Sequence, residues 1–373
     1  MTSPRIAIAH EWLAVRAGSE KTFEAMAEAF PDADLYALTL EPGIPFDFGG
    51  RPVHTTFLNS RPALRHRREF TLPLMPLAWR TMRTYGPYDV AITSSHAFAR
   101  LFPPAKAVTH LCYCYAPMRY AWDPDIDQRQ MREPPGLKLA RAVLRRADRA
   151  TVPRVDSFAG ISTAVVDRIN RHYEREARVL FPPVDIDYFS IDPAVSRDEF
   201  RAFAISRFIP YKRLDLAIEA CAKAGVPLTL AGTGPEEERL RELARTLKAD
   251  VTFNIRPSDE ELRHLYQSSS VVLFLANEDF GIVPVEAQAC GTPVIGLDEG
   301  GTRDTVRDGV TGIRVAQQSA DEVADAIRRV KEDPPSAKAC RAHAETFDRR
   351  RFIAEMQAWV GEAVVGVRGF SGP

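Results

Sequence analysis

The sequence predicts an α/β protein made of two doubly wound parallel sheets in tandem, and three observations lead there. Short β-branched runs alternate along the chain with longer stretches of helical period, which is the pattern of repeated βαβ units. The 373 residues, 45% hydrophobic and 27% charged, hold enough apolar material for two ordinary cores. Between the two series lies Phe181-Pro-Pro-Val-Asp, where consecutive prolines disfavour helix and read as a linker.

In the first half, residues 1–182, the opening strand is expected over Arg5 to His10, followed by a turn around Ala17 to Ser19 and a helix through Lys21 to Phe30. Further strands are expected at Val53 to Phe57, Val90 to Ser94, Val108 to Tyr113 and Phe158 to Ser162, with a strand-like Arg178 to Phe181 before the linker. The second half, residues 183–350, offers strands at Phe203 to Ser206, Leu228 to Ala231, Val251 to Phe253, Val271 to Leu275 and Pro293 to Gly296, each followed by a helical segment. Beyond it, in residues 351–373, the amphipathic stretch Arg351 to Val365 can dock on either half, a return to the first being the expectation.

Composition excludes several classes. Lys plus Arg number 49 against 50 Asp plus Glu, a net charge of −1, so the basic excess of a duplex-binding protein is missing and nucleic acid is not expected as a partner. Five cysteines, at 112, 114, 221, 290 and 340, are an odd number spread through a large chain and fit reduced thiols. No apolar run approaches the roughly 18 residues that span a bilayer. Arg5, His10 and Glu11 interrupt the one candidate for a secretory segment, so the expected location is the cytoplasm.

In open parallel sheets ligands bind beyond the carboxyl ends of the strands. Arg207 at one strand tip and Lys212 before the next helix are spaced to converge on one anionic group, a phosphate, with free helix amides assisting. Gly232 and Gly234, in Leu230-Ala-Gly-Thr-Gly-Pro, follow a strand where a ligand or a tight turn needs small residues. Asn277-Glu-Asp-Phe-Gly-Ile-Val-Pro-Val-Glu-Ala follows the most hydrophobic strand. It puts Glu278 in a loop, Gly281 at a close turn and Glu286 in the ensuing helix, so two carboxylates bracket a helix N-terminus. Such an arrangement suits hydroxyl-rich ends of a ligand with phosphates between them, a sugar and a ribose.

Together these residues resemble family 4 of the retaining glycosyltransferases, which has the GT-B fold of two Rossmann-like domains facing each other across a central cleft. The resemblance rests on Glu278 to Glu286, Arg207 with Lys212, Gly232-Thr-Gly-Pro, Cys290-Gly-Thr-Pro-Val-Ile and Gly300-Gly-Thr-Arg-Asp-Thr-Val. It implies that Glu278 holds donor sugar hydroxyls, Glu286 the ribose, and Arg207 and Lys212 the diphosphate. The amides of Phe280, Gly281, Ile282 and Val283 would meet sugar and phosphates, while Gly18 lets the acceptor-side first domain close on the diphosphate. His10-Glu-Trp-Leu, Gly18-Ser-Glu-Lys, Phe30-Pro-Asp-Ala and Tyr113-Cys-Tyr-Ala-Pro-Met-Arg-Tyr-Ala-Trp-Asp resemble the mannosyltransferase branch of O-antigen and exopolysaccharide assembly. That branch implies GDP-mannose as donor and a hydroxyl of a glycan, lipid-linked or small-molecule acceptor; Arg207, Lys212 and the helix N-terminus supply positive charge where a cation would otherwise act, so no metal is expected. Rival readings are a nucleotide-sugar epimerase of the same fold and a catalytically silent sugar-nucleotide-binding protein.

The pattern departs at Tyr115, where many relatives have a histidine facing the donor sugar; His96, in Ser94-Ser-His-Ala, is the expected replacement for sugar or acceptor contact. His110, Cys112 and Cys114 share a strand face but are too far apart for easy tetrahedral closure, so they are read as core. Asp125 with Asp127 and Asp185 with Asp187 mimic a metal clamp, yet neither pair caps a nucleotide-binding strand. The basic turn Arg61 to Arg68 before Leu72, Leu74, Met75, Leu77 and Trp79, and the helical cluster Arg141, Arg145, Arg146 and Arg149, raise peripheral contact with a membrane or lipid-linked acceptor.

Overall fold

The computed structural model describes residues 4–66, 71–102, 109–123, 136–197 and 199–369. Asp125, Asp127, Arg67 and Arg68 lie outside the described residues. Contacts divide the chain into two units, one running to Pro183 and taken up again from Arg349, the other Val184–Asp348.

The first unit is built on seven strands, β1 (Ile6–Leu13), β2 (Asp34–Leu40), β3 (Val53–Thr55), β4 (Val90–Ser95), β5 (Thr109–Cys114), β6 (Ser157–Gly160) and β7 (Ala177–Val179). They pair in parallel in the order β3-β2-β1-β4-β5-β6-β7. Two features differ from the sequence reading. β1 does not stop at His10: Trp12 pairs with Thr39 and Leu13 with Leu40, which carries Glu11 into the sheet as a fully buried carboxylate. β2 was not expected at all. Its run Leu35-Tyr-Ala-Leu-Thr is buried on both faces, so it lacks the alternation that marks a strand with one wet side.

One sheet face is covered by a core of Ala7, Ala9, Tyr36, Leu38, Trp79 and Phe102. The terminal helix Arg349–Gly369 packs on the same unit. Gln357 donates to the Ala29 carbonyl at 2.8 Å, the buried Trp359 indole to Ser157 Oγ at 3.0 Å, and Arg349 pairs with Glu28 at 2.7 Å.

The second unit has six strands, β8 (Ala202–Arg207), β9 (Leu228–Thr233), β10 (Val251–Ile255), β11 (Val271–Phe274), β12 (Val294–Leu297) and β13 (Gly312–Val315). They pair in parallel in the order β10-β9-β8-β11-β12-β13. The sequence reading omitted β13, four residues between a turn and a helix. In both sheets the strand order reverses beside the first strand, so the switch points where ligands bind lie at the carboxyl ends of β1 and β4 and of β8 and β11.

The five cysteines are buried and free. Asp185 accepts the Tyr188 amide at 3.0 Å in a turn. Among the described residues no group of three or more His, Cys, Asp or Glu is arranged to hold a metal, and no helix is long and apolar enough to cross a membrane.

His110 packs in the core, Nδ1 donating to the Arg154 carbonyl at 2.9 Å and Nε2 accepting from Thr93 Oγ at 3.0 Å. Burial lowers its pKa to about 4. The unfolded chain, with the ordinary value near 6.5, binds the proton first as pH falls, so this neutral ring costs stability progressively from about pH 6.5 down to about 4. Denaturant titrations at pH 7 and pH 5 are expected to show a loss of about 1–2 kcal/mol from this residue. His110→Gln is expected to flatten that part of the pH dependence, even where it lowers stability at pH 7.

Candidate functional site

At the carboxyl end of β8 the chain passes from Arg207 through the turn Pro210–Lys212 into the helix Leu214–Ala224. Arg207 is exposed and donates to the Tyr211 hydroxyl at 3.3 Å. Lys212 turns back across the sheet: its Nζ pairs with Glu278 Oε1 in the loop after β11 and stands 4.9 Å from the Tyr211 ring centre. Both partners are largely shielded, 13% and 18% of their side chains being exposed. One ion pair thus ties the two strand ends that flank the switch point.

From Glu278 the loop reaches Gly281, which takes φ +86° and begins the helix Ile282–Ala289. A Cβ at Gly281 would lie 2.9 Å from the Phe274 ring, so both conformation and space demand glycine. The first amides of a helix have no intrahelical acceptor, and Pro284 supplies none, leaving Ile282 and Val283 to present N–H groups at the positive end of the helix dipole.

Glu286, in the second turn of that helix, is 7% exposed. Its Oε2 accepts from the buried Tyr266 hydroxyl at 2.9 Å. Burial, with the Glu286 carboxylate beside it, holds the Tyr266 phenol well above its usual pKa and therefore protonated as a donor. Tyr266, on the helix Asp259–Ser268, is a residue that sequence reasoning missed, since a tyrosine on an amphipathic helix carries no signal beyond core packing.

The glycine pair after β12 has an equally local cause. The Gly301 amide donates to the Glu278 carbonyl at 2.8 Å. A Cβ on Gly300 would meet that carbonyl at 2.2 Å, and one on Gly301 would meet Phe280 Cα at 2.2 Å. Asn277 donates to Glu299 at 2.8 Å. The loops after β11 and β12 therefore hold each other, and Glu278 rides on a braced backbone.

Gly232 and Gly234 are explained from within the chain. A Cβ at Gly232, where φ is +129°, would fall 1.9 Å from the Ser206 carbonyl, and one at Gly234 would fall 2.4 Å from the Phe208 carbonyl. Their smallness lets the ends of β8 and β9 close up, fixing where Arg207 emerges. Gly18 is the opposite case. It opens the helix Gly18–Ala29 after β1, and a Cβ there would meet nothing within 4 Å.

In the first unit Glu11 organises the other switch point. Its carboxylate accepts the amides of His96 at 2.7 Å, Ala97 at 2.9 Å and Ala99 at 2.9 Å, and the Ser95 hydroxyl at 3.2 Å. Burial pushes this carboxyl up, while the amide donors and Arg100 pull it down. The result is a fixed β4 tip that presents the half-buried His96 ring stacked on Tyr115 at 4.1 Å. Tyr115 is buried, its hydroxyl donating to the Ser19 carbonyl at 3.0 Å and accepting from Ser94 Oγ at 3.0 Å. Ser94 Oγ also lies 2.9 Å from His10 Nδ1. The Tyr115 hydroxyl thus ties the start of the helix Gly18–Ala29 to the ends of β4 and β5.

The fold is that of the GT-B glycosyltransferases. Sucrose-phosphate synthase from Thermosynechococcus elongatus superposes with a TM-score of 0.74 over 98% of this chain and 100% of that one, at 20% identity. Anabaena Alr3699/HepE in complex with UDP and glucose gives 0.69 over 97% and 100%, at 18% identity. Residues 189–347, nearly the whole second unit, match the family model described as glycosyl transferases group 1. In sequence the chain is similar to the D-inositol 3-phosphate glycosyltransferases of Mycobacterium avium, 37% identical over 204 residues, which is 48% of each chain. The same enzyme of Streptomyces bingchenggensis is 32% identical over 238 residues, 54% of this chain and 52% of the relative. The chain thus spans about half the length of the curated relatives it matches.

Proposed function

We propose that this protein is a retaining glycosyltransferase that moves a sugar from a nucleoside diphosphate donor to an acceptor hydroxyl. The observation that carries the proposal is the Lys212–Glu278 pair at the β8–β11 switch point, beside Arg207 and the open amides of Ile282 and Val283. A cation pair and a helix N-terminus suit a diphosphate, and the two glutamates suit hydroxyl groups on either side of it. In the absence of a donor, Glu278 neutralises Lys212. When a diphosphate arrives, Lys212 can serve its oxygens and Glu278 the hydroxyls of the sugar.

In the reaction the bond from the anomeric carbon to the diphosphate oxygen breaks and one from the acceptor oxygen to the same carbon forms. The acceptor proton passes to a diphosphate oxygen. Negative charge grows on the leaving group, where Arg207, Lys212 and the helix amides stabilise it electrostatically. With those groups in place, transfer needs no divalent metal. His96 is proposed for sugar or acceptor contact and Gly18 for the diphosphate on the strength of the family resemblance.

Mannose from GDP-mannose is the proposed donor, supported by the resemblance of the first-half motifs to mannosyltransferases of polysaccharide assembly. The relatives named for inositol phosphate and the structures holding UDP make other donors the comparison to run. The test is thermal stabilisation by GDP, UDP and their sugars, followed by slow hydrolysis of the one that binds. A donor at 100 times its dissociation constant adds about 2.7 kcal/mol of stability. Stabilisation by UDP-sugars alone would move the proposal to another donor, and stabilisation by none would end it.

A further inference from the structure

The turn between Arg207 and Lys212 also carries Tyr211, which the proposed chemistry does not use. The backbone there is anchored at several points. The buried Phe208 donates its amide to the Thr233 carbonyl at 2.9 Å, and its own carbonyl accepts the Glu236 amide at 3.1 Å. The Ile209 amide donates to the Arg207 carbonyl at 2.9 Å and the Lys212 amide to the Ile209 carbonyl at 3.1 Å. Such anchoring fixes where the two cationic side chains start. Arginine and lysine keep several rotatable bonds beyond that point, so their head groups must be placed by contacts of their own.

Tyr211 supplies a contact to each. Its hydroxyl accepts from the Arg207 guanidinium at 3.3 Å, and its ring centre stands 4.9 Å from Lys212 Nζ. Two like charges aimed at one ligand repel each other. A carboxylate between them would hold them, but it would also cancel the positive potential that a diphosphate needs. A tyrosine orients without neutralising: the hydroxyl offers an uncharged lone pair to the guanidinium, and the negative face of the ring attracts the ammonium. The third cation of the turn, Arg213, is directed elsewhere, pairing with Asp215 at 3.4 Å and donating to Gln318.

We propose that Tyr211 is a positioning residue of the diphosphate site, holding the Arg207 and Lys212 head groups side by side through its hydroxyl and its ring. The inference rests on the reading of those two cations as diphosphate ligands. In the ligand-free chain Lys212 is held both by Glu278 and by the ring. Once a donor draws Glu278 to its sugar, the ring keeps the ammonium in place. Negative charge on the diphosphate grows as the glycosidic bond breaks, so a misplaced cation costs more in the transition state than in the ground state. Loss of Tyr211 therefore lowers kcat by a larger factor than it raises the donor KM.

The test is a set of double-variant cycles. Calorimetry gives the affinities for GDP and UDP, and hydrolysis of GDP-mannose, or of UDP-glucose if only UDP binds, gives kcat and KM. Tyr211→Phe keeps the ring and removes the oxygen that Arg207 meets, and is expected to lower kcat about threefold; Tyr211→Leu removes both contacts and is expected to lower it about tenfold. In an Arg207→Ala background Tyr211→Phe is expected to do nothing further, whereas in a Lys212→Ala background its threefold effect persists. Tyr211 is half-buried, and thermal unfolding checks that each variant stays folded. Equal losses from Tyr211→Phe in all three backgrounds, the mark of a merely structural role, overturn the inference and leave the diphosphate reading standing. So does a wild-type rate in Tyr211→Leu. Unchanged GDP and UDP affinity in both Arg207→Ala and Lys212→Ala takes the cations away from the diphosphate, and the inference falls with that reading.

Discussion

Replacing Arg207 and Lys212 together with alanine is expected to reduce turnover by two to four orders of magnitude. Each charge-assisted hydrogen bond to a leaving-group phosphate is worth about 1.5–3 kcal/mol, and two such losses multiply in rate. The fold should survive, since Arg207 is exposed and Lys212 sits in a surface turn. Lys212→Ala alone also takes the paired cation away from the Glu278 carboxylate, so Glu278→Gln is the informative companion. If the pair serves the diphosphate through Lys212 and the sugar through Glu278, the lysine variant loses affinity for the free nucleoside diphosphate and the glutamine variant does not. A double variant that keeps more than a tenth of wild-type turnover would remove these cations from the reaction.

Glu286→Ala is expected to weaken the nucleoside diphosphate and the nucleotide-sugar alike, by roughly ten- to a hundredfold. Calorimetry with both ligands measures it. The same substitution leaves the Tyr266 hydroxyl buried without its acceptor, at a cost of about 1–3 kcal/mol of stability. Tyr266→Phe separates the two effects. It keeps the carboxylate but removes the donor that fixes its rotamer, so affinity for both ligands should fall less than in the alanine variant. Unchanged affinity in Glu286→Ala would mean that this carboxylate serves only the fold.

The α/β class and the two-sheet arrangement were legible because buried parallel strands are short, β-branched and bounded by turn residues. β2 and β13 were not, for opposite reasons. β2 is buried on both faces and so shows no period, while β13 is four residues long and no longer than an ordinary turn. In the second unit the motif residues stand where strand-end reasoning put them, because Arg207, Glu278 and Gly281 owe their places to the ends of β8 and β11.

What could not be read was how those residues are held. Tyr266 lies 20 positions from Glu286 in sequence and on another helix. Glu11 lies 85 positions from the His96 amide that it fixes. Contacts of that separation follow from strand order, which local pattern does not encode. The same applies to Gly232 and Gly234, whose need for smallness comes from the Ser206 and Phe208 carbonyls and is invisible in a Gly-x-Gly string.

The most direct test of the proposed chemistry is proton NMR of the product formed from an α-linked nucleotide-sugar in excess chelator. If cations and helix amides stabilise the departing diphosphate and the acceptor proton passes to one of its oxygens, an α-linked product is expected at a rate unaffected by added magnesium or manganese. A β-linked product, or a reaction that stops in chelator and resumes with metal, would contradict it.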